Sequence, residues 1–472
     1  MLMVDTIPAE PNPTWSKAYA PGDEIFDYFD DVVKKHDLPS ITTYNANVVK
    51  AVWQKRTSTW QVTVDVKEGD RTVRSVHEAD FLIGATGHLS NPNHPKFPGM
   101  ESFKGKIMHT ARWDKSYNLQ GKRVACVGTG ATACQVVPAI VDSVQHLTVF
   151  QRTPGWVFPY FLDKTYDKQE IQYFLDNPEM VKKYRDALWL AYESRYGYTQ
   201  ADSPVQIQVR EFAVKYMEEM IPDPKLRAKL LPSFPAGCKR ITPSNTYYGA
   251  LVKPNCELVT DRIQRLTPEG IITTGPDGER LHPVDCIITA TGFDVRFIPS
   301  FPIIGSNGVS IEELWNAKGA EAFKTGVGVS GFPNYFMILG PNSSGGGNSI
   351  LSSSEAQAIY AVNAIATCTL SGIRTLDVKK EVQDAWNLKG QAFLQKTVFA
   401  GPCVSWYKTS SGKITAIYPG TKTGLAKEIA KIDWSDYNIT FRDGDERKNL
   451  TRKVKAKDPE KVEITTEEIV VI

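Results

Sequence analysis

The sequence lacks any apolar run approaching the ~18 residues that a membrane-crossing helix needs. Its start, Met1 to Trp15, has no cationic segment and no long apolar core, so it does not read as a signal peptide. It also lacks a strand. Charge of one sign is missing: 55 Lys and Arg stand against 53 Asp and Glu, net +2, which argues against a general nucleic-acid or polyanion binder. Cysteine is sparse, at Cys126, Cys134, Cys238, Cys256, Cys286, Cys368 and Cys403, with an odd count of seven and no CxxC. That pattern excludes a disulfide scaffold and a zinc site and is expected of reduced thiols in a cytoplasmic-type compartment. No internal repeat is visible. What is present is ordinary for a soluble globular chain: 42% hydrophobic, 23% charged and 10% aromatic residues in 472. At roughly 100–200 residues per domain, that length predicts two to four domains.

Along the chain, a leading loop precedes a helix over Asp23–Lys35, whose apolar residues recur at helical spacing. Residues 41–83 read as β-structure, with clean alternation over Trp60–Val66 and a buried-type strand at Ala79–Ile83. Residues 88–104 are a Pro- and Asn-rich connection. Residues 165–235 switch to helical patterning and are expected to be an insertion. Strands return at Cys256–Val259 and Cys286–Thr289, and residues 334–370 predict a strand, a Gly-rich turn and a helix. From about Asp443 the sequence is charged and reads as a solvated tail.

The strongest local signal is an apolar strand, Lys122 to Val127, running into Gly128-x-Gly130-x-x-Ala133 and then a helix. Gly128 permits the tight turn, Gly130 lets backbone approach a pyrophosphate, and Ala133 lets helix and strand pack closely. Val127, Thr129, Ala131 and Thr132 complete the candidate cofactor contacts, with free N–H groups at the helix start facing the phosphates. The next strand, His146–Phe150, ends in Gln151-Arg152-Thr153. About twenty residues past the glycines, NAD sites carry an acid. Here a cation and a hydroxyl stand instead, which suits a 2′-phosphate and favours NADPH over NADH. A second match, Gly326-x-Gly328-x-x-Gly331, is rejected as a phosphate loop because Phe332-Pro333 follows and proline blocks the required helix.

Further stretches resemble class B flavoprotein monooxygenases, most closely the Baeyer–Villiger type. Phe103-Lys-Gly105 through His109, Trp113 and Asp114 matches that type's fingerprint. Ala85-Thr86-Gly87 and Ala290-Thr291-Gly292 resemble the two crossings between flavin and NADPH domains. Gly237-Cys238-Lys239-Arg240 resembles the family's Lys-Arg pair. Asn334 to Asn342, Gly345 to Ile350, Ser405 to Lys408 and Ile417 to Gly420 resemble its C-terminal, flavin-contacting part. The likeness runs from about Glu10 to Tyr437, entering the family's pattern at Pro11–Ser16 and leaving its N-terminal FAD-binding GxGxxG module without a counterpart in this sequence.

The resemblance implies an α/β fold of two dinucleotide-binding domains: a Rossmann-like NADP domain with a helical insertion, plus a partial FAD domain. The expected divisions are 1–104 (FAD domain), 105–325 (NADP-binding, insertion at 165–235), 326–440 (FAD domain) and a tail, 441–472. It implies FAD and NADPH as cofactors, and a small-molecule ketone and O2 as substrates, with one oxygen atom inserted to give an ester or lactone, in secondary metabolism. Arg240 is the expected catalytic cation, because a guanidinium stays charged and offers forked donors. Lys239 and Arg152 would clamp the 2′-phosphate, with Thr153 donating a hydrogen bond. Val48, Asn348 and Ile350 are the expected flavin contacts. Blander readings stand beside these: Lys239 and Arg240 as solvated charges, His109 as structural, Trp113 as packing at the domain junction, and Cys238 as a small buried filler. The competing functional reading is a truncated, FAD-deficient and inactive homologue that keeps only an NADP-binding fold.

Overall fold

The computed structural model describes residues 10–160, 162–344, 349–442 and 469–471. Helix α1 (Gly22–Lys35) leads into a meander, β1 (Ala46–Gln54), β2 (Thr59–Glu68) and β3 (Arg71–Ala79), and then β4 (Phe81–Gly84). Next come β5 (Lys106–His109), β6 (Arg123–Val127), α2 (Ala133–Ile140), β7 (His146–Phe150) and β8 (Val157–Phe158). The insertion follows as α3 (Lys168–Asp176), α4 (Pro178–Glu193), α5 (Pro204–Met220) and α6 (Pro224–Leu230). The chain returns through β9 (Thr242–Pro243), α7 (Tyr247–Leu251), β10 (Cys256–Val259), a meander of β11 (Arg262–Thr267), β12 (Gly270–Gly275) and β13 (Gly278–Pro283), and β14 (Cys286–Thr289). The last part carries β15 (Ile303–Ile304), α8 (Ile311–Lys318), β16 (Tyr335–Met337), α9 (Ile350–Leu370), β17 (Ile373–Val378), α10 (Lys380–Leu394), α11 (Lys422–Ile429), β18 (Tyr437–Phe441) and β19 (Ile469–Val471).

Five parallel strands in the order β10-β7-β6-β14-β5 form one nucleotide-type sheet. Their residues are apolar almost without interruption, as a parallel sheet covered on both faces requires. One face packs on α2, α7 and the end of α5 through Val124, Cys126, Val137, Leu147 and Tyr248. The other packs on the β11–β13 meander through Ala125, Val127, Ile271 and Ile287. A second, smaller parallel sheet runs β16-β4-β19. The two sheets obey one pattern. β14 and β4 each end two residues or fewer before an Ala-Thr-Gly segment, and each is flanked by the first strand laid down in its sheet after a crossing. On its other side β14 has β6, and β4 has β19. Cys126 pairs with Ile288 and Val471 pairs with Ile83, so both partners lie two residues before the alanine of their segment.

Three expectations are corrected here. Residues 301–323, expected with the NADP-binding part, pack with the first part: Phe301, Ile303, Ile311 and Trp315 share a core with Ala51, Trp53, Trp60 and Val62, and β15 pairs parallel with β1. The change of sheet therefore falls at the second Ala-Thr-Gly crossing, not at 325. The tail expected over 441–472 does not begin at 441, because Phe441 closes β18 against β17 and Arg442 contacts the Asp80 carboxylate. Within that stretch, 443–468 lie outside the described residues, and Ile469–Val471 form a strand, as three β-branched apolar residues favour. Finally, Cys238 and Cys403 form a disulfide, with Cα atoms 6.1 Å apart. Neither spacing nor CxxC pattern pointed to it, because the partners are 165 residues apart and meet only through the fold. The remaining thiols, Cys126, Cys134, Cys256, Cys286 and Cys368, are free, and burial pushes each up to about 12.

One buried amide fastens the smaller sheet. Asn334, φ 55° and 1% exposed, donates from Nδ2 to the carbonyls of Asp80 (2.8 Å) and Arg374 (3.0 Å). Its Oδ1 accepts the Leu376 N–H at 2.7 Å, so it ties the ends of β4 and β17 to the start of β16. Asn334→Ala leaves three buried backbone groups unpaired, at ~1–3 kcal/mol for each unsatisfied group. Urea unfolding is expected to show a loss of at least about 2 kcal/mol; a loss below about 0.5 kcal/mol would refute this role.

Candidate functional site

The glycine turn sits where β6 gives way to α2. Gly128 has φ 117°, and a Cβ there would stand 2.5 Å from the Ala290 carbonyl oxygen, so no side chain fits. That contact joins the turn to the second crossing. Gly130 is exposed and a Cβ on it would meet nothing within 4 Å, leaving its backbone open to a ligand. Val127 is buried, Thr129, Ala131 and Thr132 are half-buried at the rim, and Ala133 is fully buried under the helix start. Thr132 offers no side-chain cap, and while the Cys134 and Gln135 N–H groups donate to the Gly130 and Thr132 carbonyls, the N–H groups of Gly130, Ala131 and Thr132 have no acceptor among the described residues and are left for an anion.

Arg152 and Thr153 follow β7 beside this turn, and the Thr129 hydroxyl donates to the Thr153 carbonyl at 3.4 Å. Lys239 arrives from beyond the insertion, its Nζ 5.5 Å from the centre of the Phe234 ring. Burial and the nearby Arg152 charge bring Lys239 down to about 8. Neither cation pairs with a carboxylate among the described residues. Two like charges held together without a counterion, beside an uncapped helix start, fit a dianionic phosphate. The sequence-predicted residues Gly128 to Ala133, Arg152, Thr153 and Lys239 thus come together around one place.

Arg240 is exposed and pairs with no carboxylate among the described residues. It lies near Tyr407, whose phenol burial pushes up to about 12 while the Arg240 charge opposes that rise. Beyond Tyr407 and Trp406, which lie in the stretch singled out from sequence, stand two residues that sequence reasoning missed, His88 and Phe297. His88 directly follows the first Ala-Thr-Gly, is 7% exposed, and stacks on Phe297 with ring centroids 5.1 Å apart. Trp406 stands 5.9 Å from the same imidazole and 4.5 Å from Tyr407. Burial lowers His88 below the usual imidazole range, and its Nδ1 has no hydrogen-bond partner among the described residues. Phe297 holds φ 63°, a conformation a bulky side chain rarely adopts and one that concentrates at functional sites. The signal available in sequence was only the position of His88 after its glycine.

The expected flavin contacts are more dispersed. Val48 is half-buried in β1 beside a register shift between Val48 and Lys50. Ile350 is 40% exposed in the first turn of α9. Asn348 lies outside the described residues. The chain on either side of 345–348 is firmly held: Asn342 Nδ2 donates to Ile414 (3.0 Å) and Ile417 (2.7 Å), and the buried Lys422 ammonium donates to the Ser343 carbonyl at 3.3 Å. Among the described residues, Ser344 Oγ and Ser349 Oγ find no partners on the two buried flanks. These orphaned hydroxyls and the uncapped α9 N-terminus fit the ring side of a flavin. For the diphosphate end of FAD, the described residues beside β4 offer no glycine turn.

In the fingerprint, His109 is 3% exposed and its Nδ1 accepts the Ala111 N–H at 3.1 Å, capping a short 3-10 turn, the structural part. Lys106 and Asp114 pair at 2.6 Å, and with Ser116 this holds the Asp114 carboxyl down at about 2. Trp113, expected as packing, is instead 37% exposed.

A parallel sheet with a glycine turn, joined by two Ala-Thr-Gly crossings to a second sheet, defines a two-dinucleotide-binding flavoprotein fold. Residues 9–183 match the model of the flavin-binding monooxygenase-like family. A Baeyer–Villiger monooxygenase of Streptomyces coelicolor is 34% identical over 433 residues, covering 91% of this chain and 80% of that one. Another, of Pseudomonas aeruginosa, is 35% identical over 436 residues with the same coverage. Among solved structures, cyclohexanone monooxygenase from Rhodococcus sp. Phi1 bound to NADP+ superposes with TM-score 0.78 at 27% identity, over 91% of this chain and 86% of that one. OTEMO in complex with FAD and NADP gives TM-score 0.78 at 25% identity, over 93% and 88%. The chain belongs to the Baeyer–Villiger monooxygenase family of flavin-dependent monooxygenases.

The phosphate reading has a pH signature. Lys239 must be protonated to hold a phosphate, and its value of about 8 means this form is lost as pH rises through that range. NADPH affinity is expected to fall between pH 7 and 9 while NADH affinity changes less, and Lys239→Arg should flatten the NADPH curve. In fluorescence titrations, Arg152→Ala with Lys239→Ala should weaken NADPH by about 2–4 kcal/mol more than NADH; equal losses would refute the clamp.

Proposed function

We propose that the chain binds NADPH and FAD and inserts one atom of O2 into a small organic carbonyl compound, the expected reaction being oxidation of a ketone to an ester or lactone. The observation that carries this is the pair Arg152 and Lys239, held together without a counterion beside the glycine turn. In this reading Gly128 to Ala133 and the start of α2 hold the pyrophosphate, and Thr153 donates to the 2′-phosphate. NADPH supplies hydride and reduced FAD supplies activation of O2. Val48 and Ile350 face the flavin ring, and the start of α9 favours negative charge on it. Arg240 places a permanent cation where oxygen transfer develops negative charge, so it needs no proton and works at any ordinary pH. Phe297, Trp406 and His88 form a ring cluster that reaches Arg240 through Tyr407 and gives its Tyr407 side an apolar backing. A role in secondary metabolism completes the reading.

A second reading is favoured by one observation: beside β4 the described residues carry a plain strand, β19, where β6 carries its glycine turn beside β14. On that reading the chain keeps NADP(H) and holds no FAD. The visible spectrum of the purified chain, with FAD added and then removed by gel filtration, decides between them. Retained flavin absorbance supports the oxygenase; its absence with intact NADPH binding supports the second reading. Given retained flavin, Arg240→Ala is expected to lower ketone oxygenation by at least about 100-fold while NADPH affinity stays within a few-fold, the scale of losing one preorganised charge donor. Unchanged product formation would remove Arg240 from the reaction.

A further inference from the structure

We infer that Cys238 and Cys403 are positioning residues, and that their disulfide sets the Lys239–Arg240 segment for the dinucleotide phosphate; the inference rests on the NADPH reading above. Cys238 immediately precedes the two cations. Cys403 lies four residues before Tyr407, the buried phenol that feels the Arg240 charge. One covalent bond therefore joins the strip bearing Lys239 and Arg240 to the strip bearing Trp406 and Tyr407.

The surroundings are built for that close approach. Cys238 is 0% and Cys403 5% exposed, in a core with Trp156, Phe158, Ala213, Phe234 and Ala236. Each cysteine strip has a glycine where a side chain would be crowded. A Cβ at Gly401 would lie 3.1 Å from Cys238 Sγ and 3.0 Å from the Val398 carbonyl. One at Gly237, φ 95°, would lie 2.8 Å from the Tyr198 ring and 3.1 Å from Val398. Lys408 clasps the carbonyls of Phe399 and Gly401 from the other side. Upstream, Gln206 fixes Ala236 through both its N–H (3.1 Å) and its carbonyl (3.0 Å).

Between Ala236 and β9, the disulfide is the tie that draws this strip towards the Cys403 loop. Lys239 pays for its place beside Arg152 with burial and like-charge repulsion, so without that tie it would swing to water. The bridge is also chemically addressable. A dithiol reductant would transfer two electrons and two protons, breaking the S–S bond to give two thiols while the reductant closes to its own disulfide.

Non-reducing proteolysis and mass spectrometry of the full chain should yield a cross-linked pair of peptides holding Cys238 and Cys403; two free thiols in protein kept from reductant would overturn the inference. Cys403→Ser, and wild type treated with a dithiol, should each weaken NADPH by about ten-fold or more, with little change for NADH. The treated wild type carries the test should the variant fail to fold. Equal losses for both nucleotides, or none, would overturn it. Amide exchange of the peptide spanning 236–242 reads the positioning without any nucleotide: reduction is expected to raise it, and unchanged exchange would overturn the inference. If oxidised protein bound no NADPH at all, the phosphate reading would fail while cross-link and exchange still judged the positioning.

Discussion

The site depends on two crossings that are hydrogen-bonded to each other. Asn93 N–H donates to the Gly292 carbonyl at 2.9 Å, the Thr291 hydroxyl donates to the Asn93 carbonyl at 2.6 Å, and Asp294 N–H donates to the Asn91 carbonyl at 2.8 Å. Pro92 and Phe293 form an antiparallel bridge between the same segments. Because β4 runs into one crossing and β14 into the other, the carboxyl ends of both parallel sheets are brought to one seam. Ligands of open α/β sheets bind at such ends. The Ala290 carbonyl that excludes a side chain at Gly128 belongs to this seam, so the nucleotide turn is shaped by the junction as well as by its own sequence.

The insertion is then held to the C-terminal part of the chain by hydrogen bonds. Glu193, at the end of α4, accepts N–H groups from Lys422 and Thr423 in the first turn of α11, and Trp189 donates to the Thr423 hydroxyl. The leading segment supports it from beneath, with Trp15 and Tyr28 packed among Tyr166, Phe174 and Tyr184. Helices patterned as an accessory thus tie the two parts together, and the Cys238–Cys403 bond lies on the same route. The seam is fixed by backbone hydrogen bonds at its centre and by side chains at its margin, so the margin is where small changes can act.

What was legible in the sequence was local. The glycine turn is a short-range steric demand, and its strand, helix and following Arg-Thr are contiguous. The insertion declared itself by helical periodicity. What was not legible is set by distant partners. Ile303–Ile304 are too short to announce a strand, and only pairing with Ala51 and Val52 makes them one. β3 is exposed at nearly every position, so it carries no apolar alternation and belongs to the sheet through backbone pairing with β2. His88 becomes a site residue only through ring contacts with Phe297 and Trp406, 209 and 318 positions away by simple subtraction of their numbers. The disulfide is the same case: Cys238, read as a filler, and Cys403, read as a reduced thiol, become neighbours once the insertion folds back.

On the proposed phosphate reading, the electrostatics of Lys239 would make the site discriminate rather than merely attract. A surface lysine gives a phosphate little selectivity, because water already satisfies it and salt screens it. Lys239 is partly desolvated and faces Arg152, so its charged form is disfavoured until an anion arrives. The phosphate then relieves two costs at once, the lost hydration and the like-charge repulsion. A nucleotide without the 2′-phosphate leaves both in place. Selectivity of this kind grows with the precision of the pocket, since a cation free to swing into water escapes the cost that NADPH would relieve. The buried bridge one residue away, the Phe234 ring beneath the ammonium and the Gln206 clamp on Ala236 all act against that escape.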